Sequence, residues 1–200
     1  MSILLTKKSV INILIITIIK LTIAALFIGL LHAYDFVIAL VLLSYTLINF
    51  RKRIYKDKIL FWGMLFTGLF GSMAELWGIH NHFWFYHDLD QDRIFPYWLP
   101  LAWAIAFKLM YKFESEILSI VNFKNLTHKY FLFFMVSLFF PVMGEIITIN
   151  LGVWTYTWPY QFFGVPLIAI LLLIVFHLLI NTFFLVICRK YQIENVVFNK

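Results

Sequence analysis

Glu75 and Glu145 are carboxylic acids embedded in apolar sequence, and each is followed by the same pattern: eight residues, a tryptophan, one residue and a tyrosine. These are Trp84 and Tyr86 after the first acid, Trp154 and Tyr156 after the second. An ionisable side chain at bilayer depth costs about 2.5–3.5 kcal/mol on insertion scales, so two at matching positions point to use. If the two meet, desolvation and mutual repulsion both strengthen proton binding, and at least one is a neutral acid at neutral pH. Trp77, Phe83, Trp84, Trp98, Trp103, Trp154 and Trp158 surround them in sequence. Aromatic faces stabilise a desolvated cation by roughly 0.5–2 kcal/mol each. A proton donor among such rings suits proton addition to a carbon–carbon double bond, with the resulting carbocation held by the rings. That chemistry fits an isoprenoid already dissolved in the bilayer.

The matching goes beyond the acids. Gly71 and Pro141 lie one turn before the two glutamates, and Pro96 and Pro166 follow them by twenty-one residues. His80 and Asn150 occupy equivalent places five residues after each acid, while His177 and Asn181 lie one turn apart near the end of the chain. Internal duplication is the simplest account of this self-similarity. Gly63, Thr67 and Gly71 share a helix face leading to Glu75, with Gly68 and Ser72 beside it, so another helix can approach closely there. Gly144 adjoins Glu145, and Pro141 frees a backbone carbonyl one turn earlier. Both acids are expected to face the interior.

The elements that must position them are transmembrane helices. The 200 residues are 63% hydrophobic and 13% charged, too little polar surface to cover a soluble core. The expectation is an all-α, polytopic helical membrane bundle forming one domain, with spans at residues 10–31, 35–50, 59–79, 96–111, 130–151 and 163–188. Residues 1–58 would hold two leading spans, with the first an anchor interrupted by Lys20; 59–128 and 129–200 would be two parallel two-helix repeat units. Lys7, Lys8, Arg51, Lys52, Arg53, Lys56, Lys58, Lys112, Lys124, Lys129, Arg189, Lys190 and Lys200 fall on one face of this arrangement. That face is expected to be cytoplasmic, with both termini on it, in a bacterial inner membrane. Each glutamate would lie about sixteen residues into its helix, roughly 24 Å along the axis and toward the outer leaflet.

Other chemistries find less support. The net charge of +6 comes from loops between apolar runs and carries no nucleic-acid-binding pattern. Cys188 is the one cysteine, which excludes an internal disulfide and a cysteine-built zinc site. His80, His82, His87, Asp88, Asp90 and Asp92 crowd one outer loop, but Arg93 and Leu99 break a calcium-loop pattern, so a solvated acidic loop is expected. His177 with Asn181 reads as a hydrogen bond between helices, and Lys108 as a snorkelling residue near the inner interface. No phosphate-binding glycine loop, nucleophilic serine motif or histidine box occurs. The expected site needs no metal or other cofactor.

Glu75-Leu-Trp-Gly-Ile79, Trp84-Phe-Tyr86 and Pro96-Tyr-Trp-Leu-Pro-Leu-Ala-Trp103 resemble the membrane-bound carotenoid biosynthesis proteins typified by bisanhydrobacterioruberin hydratase. Gly152-Val-Trp-Thr-Tyr156 with Gly164-Val-Pro-Leu167 is similar to the same group and to the heterodimeric-type lycopene cyclase domain. In that cyclase domain the proline leads into adjacent glutamates, whereas Ile168 and Ala169 stand here, which argues against a cyclase of that type. The resemblance covers about the last two-thirds of the chain. It implies that Glu75 and Glu145 are the acids that matter and that water addition or ring closure on an isoprenoid is the reaction. Trp77, His80, Trp84, Tyr86, Asn150, Trp154, Tyr156 and His177 are then the expected substrate-binding residues. A small proton-coupled transporter and a non-catalytic membrane module are the alternatives.

Overall fold

The computed structural model describes residues 2–52, 54, 57–89, 93–121 and 125–198, without the side chains of residues 2–7 and 52. Arg53, Lys56, Asp90, Asp92, Lys124 and Lys200 lie outside the described residues. The described chain is mostly helical, with short strands at one end of the bundle: α1 (Ser2–Leu31), a 3₁₀ turn (His32–Tyr34), α2 (Asp35–Lys52), α3 (Lys58–His80), β1 (Trp84–Tyr86), α4 (Leu99–Ile120), α5 (Leu126–Asn150), β2 (Trp154–Tyr156), β3 (Gln161–Phe162), β4 (Val165–Pro166) and α6 (Leu167–Lys190).

Among the described residues, four stretches are long and apolar enough to cross a membrane: the 44-residue segment Lys8–Arg51, α3, α5 and α6. The chain is a helical membrane protein. Two differences from the six expected spans have physical causes. The α1–α2 segment is helical almost without interruption, and α4 carries Lys108, Lys112, Glu114 and Glu116. Contact registers show how the long segment is used. Val10, Ile13, Ile18 and Leu21 pack against a cluster of Met110, Phe113 and Ile117 of α4 with Val136 and Phe140 of α5, while Phe27, Ile28 and Leu31 pack against one that holds Trp98 and Leu99 with Ile38, Leu42 and Val153. Thus α1 runs antiparallel to α4. Ile38 lies by Trp98, and Tyr45 receives a hydrogen bond from Lys108 Nζ at 3.2 Å, so α2 runs with α4. The chain therefore reverses at the 3₁₀ turn, where Arg93 pairs with buried Asp35 and the Tyr97 amide donates to the same carboxylate. Straight, 44 helical residues would reach about 66 Å, roughly twice a hydrocarbon core.

The small residues of α3 set the closest helix pair. A Cβ on Gly63 would overlap the Phe107 ring of α4, one on Gly71 would overlap the Trp103 ring, and one on Gly68 would meet the Pro100 carbonyl. Asp57 and Asn125 cap α3 and α5, accepting from the Leu60 and Thr127 amides. At the opposite end of the bundle from the strands, Val197 and Phe198 are buried with Ile54, Phe133 and Phe184. Asn195 Nδ2 donates to Tyr111 Oη at 2.7 Å and Tyr111 donates to Asp57 at 3.0 Å, so the last residues close that end.

Candidate functional site

The helices carrying the two glutamates end in the same turn. His82 and Gly152, each seven residues after its glutamate, have φ of 59° and 82°. Their amides donate to Ile79 and Ile149, and the next amides, of Phe83 and Val153, donate five residues back to Gly78 and Thr148. This is the helix stop that needs a left-handed residue, which glycine supplies freely and histidine adopts only against a steric cost.

The turns launch β1 and β2, which pair antiparallel with Trp84 opposite Tyr156, Phe85 opposite Thr155 and Tyr86 opposite Trp154. The pairing is symmetric about its centre, because each tryptophan faces the other strand's tyrosine. Flanking bonds follow the same symmetry, from the His87 amide to Val153 and from the Thr157 amide to Phe83. So do the rings, with Trp84–Tyr156 and Tyr86–Trp154 centroids both 5.5 Å apart. A local twofold axis passes through the pair.

Side chains from this ribbon reach down to the acids. Trp84 Nε1 donates to Glu75 Oε2 at 2.8 Å, Tyr86 Oη to the same oxygen at 3.0 Å, and Trp103 Nε1 to Oε1 at 3.2 Å. Tyr156 Oη donates to Glu145 Oε2 at 2.9 Å. Since the Trp84 ring lies against Tyr156, an unbroken chain of contacts links the two carboxyl groups. Burial, reinforced by the charge of Glu75, pushes the Tyr86 hydroxyl well above its ordinary range; burial and the charge of Glu145 do the same to Tyr156. Both phenols are therefore fixed as donors. Both glutamates are half-buried, so part of each reaches the bundle surface.

The structure thus gathers Glu75, Glu145, Trp84, Tyr86, Trp154 and Tyr156 in one place. It sets Trp77 and His80 on exposed positions, Trp77 with its ring tilted against Phe83. Asn150 is exposed as well and donates to the Ile146 and Phe163 carbonyls at the helix end. None of these three touches the acids. The loop rich in histidine and aspartate is also divided: His87 bonds Thr155, and His32 pairs with Asp88 at 2.9 Å. Among the described residues no cluster of histidine, cysteine and carboxylate side chains could hold a metal.

His177, with Asn181 expected to bond another helix, belongs to a second polar cluster whose acid, Glu114, sequence reasoning missed. Its Nε2 lies 2.7 Å from Glu114 Oε1, and Asn181 Nδ2 donates to both Glu114 oxygens at 3.3 and 3.4 Å. All three side chains are buried, Glu114 completely. Glu114 falls in the charged run Lys112-Phe-Glu-Ser-Glu116, which reads as the exit from a span ending at Tyr111. The signal was there in the helical spacing of Phe107, Met110, Tyr111, Glu114, Ile117 and Leu118, one continuous buried face. Lys108 also departs from its expected snorkelling position: it is 3% exposed, with its ammonium 4.3 Å from the Tyr45 ring centroid. The α2 helix covers it.

The fold and site define a helical membrane protein with two carboxyl groups under an aromatic canopy. Compared with known proteins, the chain matches no family model, no curated protein and no solved structure.

Proposed function

We propose that this protein is an integral membrane enzyme that adds a proton to a double bond of a lipid-soluble isoprenoid, of the carotenoid type, and completes a hydration or a cyclisation. The observation that carries this reading is the linked pair of glutamates beneath the β1–β2 ribbon. Glu75, with three donors on its oxygens, is suited to the acceptor-only anion that stabilises a cation or activates water. Glu145, with Tyr156 as its donor, keeps a free oxygen for a proton and is the general acid. Trp84, Tyr86, Trp154 and Tyr156 supply the cation-stabilising faces. No metal or other cofactor and no nucleic acid enters this reaction; the partner is the substrate, delivered by the membrane.

Six crossings and a duplicated two-helix unit belong to the same proposal. The reversal at the 3₁₀ turn supports separate α1 and α2 crossings, and the α3 and α5 stops with their symmetric ribbon support duplication. The resemblance to carotenoid hydratases in Glu75, Trp84, Tyr86 and the 96–103 run points to the same substrate class. An inner membrane with both termini cytoplasmic follows from the lysine and arginine bias.

One observation favours a proton-coupled carrier instead, namely the Glu114–His177 pair inside the bundle. Against it, residues 195–198 close one end of the bundle and the ribbon covers the other. The two are separated by mass spectrometry of lipid extracts from cells supplied with acyclic carotenoids, making wild type, Glu75→Gln or Glu145→Gln at matched levels. The enzyme yields a product one water heavier than, or isomeric with, its precursor, absent in both variants; a carrier yields no such product.

A further inference from the structure

The reversal between α1 and α2 is tied to the segment after β1 by two ionic links. Asp35 pairs with Arg93, and His32 Nε2 lies 2.9 Å from Asp88 Oδ2. The guanidinium of the first link never gives up its proton. The second link depends on an imidazole, and counting donors and acceptors fixes the state of that ring. His32 Nδ1 lies 2.6 Å from the Gly29 carbonyl oxygen, while Nε2 faces the Asp88 carboxylate. Both partners are acceptors, and a neutral imidazole has one N–H to offer. Satisfying both bonds therefore takes two ring protons, the imidazolium. Turning the ring over would only set carbon atoms against the two oxygens. Moving the second proton onto Asp88 leaves the count unchanged, because the closed pair still holds one proton more than a neutral imidazole beside a carboxylate.

The backbone at Asp88 shows what the pair holds in place. Its φ is 55°, a left-handed setting that a residue other than glycine keeps where its surroundings enforce it. Asp88 stands two residues after Tyr86, the β1 residue whose hydroxyl donates to Glu75 Oε2 at 3.0 Å. Between the two, the His87 amide donates to the Val153 carbonyl at this end of the ribbon. The α1–α2 turn thus reaches, through one titratable side chain, the end of the strand that supplies a donor to an acid.

We propose that His32 is a positioning residue: as an imidazolium it latches Asp88 to the α1–α2 turn and steadies this end of the ribbon, with Tyr86, over Glu75. Loss of the proton leaves one ring N–H for two acceptors. The Gly29 carbonyl belongs to α1, whereas the Asp88 side chain is 55% exposed and free to turn to water, so the Asp88 bond is the one given up. The latch is closed at low pH and opens as pH rises. Among the described residues, the other charged and titratable groups at this junction are Asp35, Arg93, Tyr97 and His87. Asp35 and Arg93 hold each other, the guanidinium lies 4.5 Å from the Tyr97 ring centroid, and His87 bonds Thr155 Oγ1 at 2.8 Å. The consequence for turnover rests on the proposed function; the latch itself does not.

The test is hydrogen exchange detected by NMR on the full chain in lipid nanodiscs, reading the His87 amide against the Thr157 amide, which donates to Phe83 at the other end of the ribbon. The ratio of the two rates removes the base catalysis common to both. As pH is raised from about 5 to about 8, the range over which imidazole changes charge, the wild-type ratio is expected to rise. The rise is about two- to fivefold, the size of an exposed ion pair. In His32→Gln and Asp88→Asn the ratio is expected to start at the raised level and stay there. Asparagine keeps the left-handed backbone, so that variant tests the bond and not the turn. A constant wild-type ratio overturns the proposal, as does a rise that persists in either variant and so belongs to His87. Exchange needs no substrate, so failure of the isoprenoid reading leaves this test standing. With substrate, wild-type turnover is expected to exceed that of Asp88→Asn by about two- to fivefold near pH 5 and to match it near pH 8. Equal turnover at both ends overturns the positioning role.

Discussion

Around Glu75, three ring donors from two elements converge, whereas Glu145 accepts from Tyr156 as its ring donor among the described residues. The two helix ends, turns and strands that surround them are otherwise alike, so the difference must come from a few side chains. One is Gly78, whose missing Cβ leaves the place where the far edge of the Trp84 indole sits; a Cβ there would come within 1.8 Å of Cη2. The equivalent residue beside Glu145 is Thr148, buried and bonded to the carbonyls of Gly144 and Glu145. Each tryptophan ring lies against the other strand's tyrosine, but Thr148 stands where Gly78 makes room for the far edge of the Trp84 indole, and the Trp154 indole makes no bond to Glu145 among the described residues. The second is Trp103, whose counterpart is Leu173. A glycine and a tryptophan are enough to give the two acids different company.

The largest expected effects come from removing the acids. Glu75→Gln and Glu145→Gln are each expected to lower turnover on an acyclic isoprenoid by about 10²–10⁴-fold, the range for a general acid or base, with the protein still folded. The two should differ in rescue. Glu145→Gln loses the proton itself and stays inactive, while Glu75→Asp, still an anion, recovers part of the rate in a mass-spectrometric product assay.

Making the first site resemble the second comes next. Gly78→Thr expels the Trp84 ring, at a stability cost of about 1–3 kcal/mol for overpacking, and leaves Glu75 with two ring donors. Trp103→Leu removes the other distinguishing donor without a clash. The pair together is expected to erase the functional difference between the acids, read as equal effects of Glu75→Gln and Glu145→Gln in that background. Thr148→Gly makes the reverse change. It opens a seat for Trp154, and tryptophan fluorescence should report one more indole in a buried, hydrogen-bonded place.

The smallest effect is on alkaline stability. Tyr86 and Tyr156 bind their protons more tightly folded than unfolded, where the ordinary value is 10.0. Their contribution is complete below pH 10 and is lost as pH rises from there toward the folded values. Thermal unfolding of the wild type should therefore decline above pH 10 more steeply than that of Tyr86→Phe/Tyr156→Phe.

Much of this comparison was legible in the sequence. The repeated spacing of glutamate, tryptophan and tyrosine encodes a helix end, a left-handed turn and a three-residue strand, and the side chains two residues apart on such a strand point to one face. The small residues of α3 announced a close helix pair. Strand pairing was hidden, because three-residue strands have no period to read. His177 and Asn181 were legible as a polar pair one turn apart, but their partner Glu114 was hidden because it lies on another helix and is disguised by neighbouring charges. Trp77, His80 and Asn150 sat close to the acids in sequence, yet helical rotation and the chain turn set them away from the carboxyl groups.

The most direct test of proton-initiated chemistry uses isolated membranes suspended in D₂O and supplied with a synthetic acyclic carotenoid. The product of wild-type membranes is expected to carry one carbon-bound deuterium that survives back-exchange into ordinary water, with none formed by Glu145→Gln. A product made by the wild type without that deuterium would contradict protonation of the double bond.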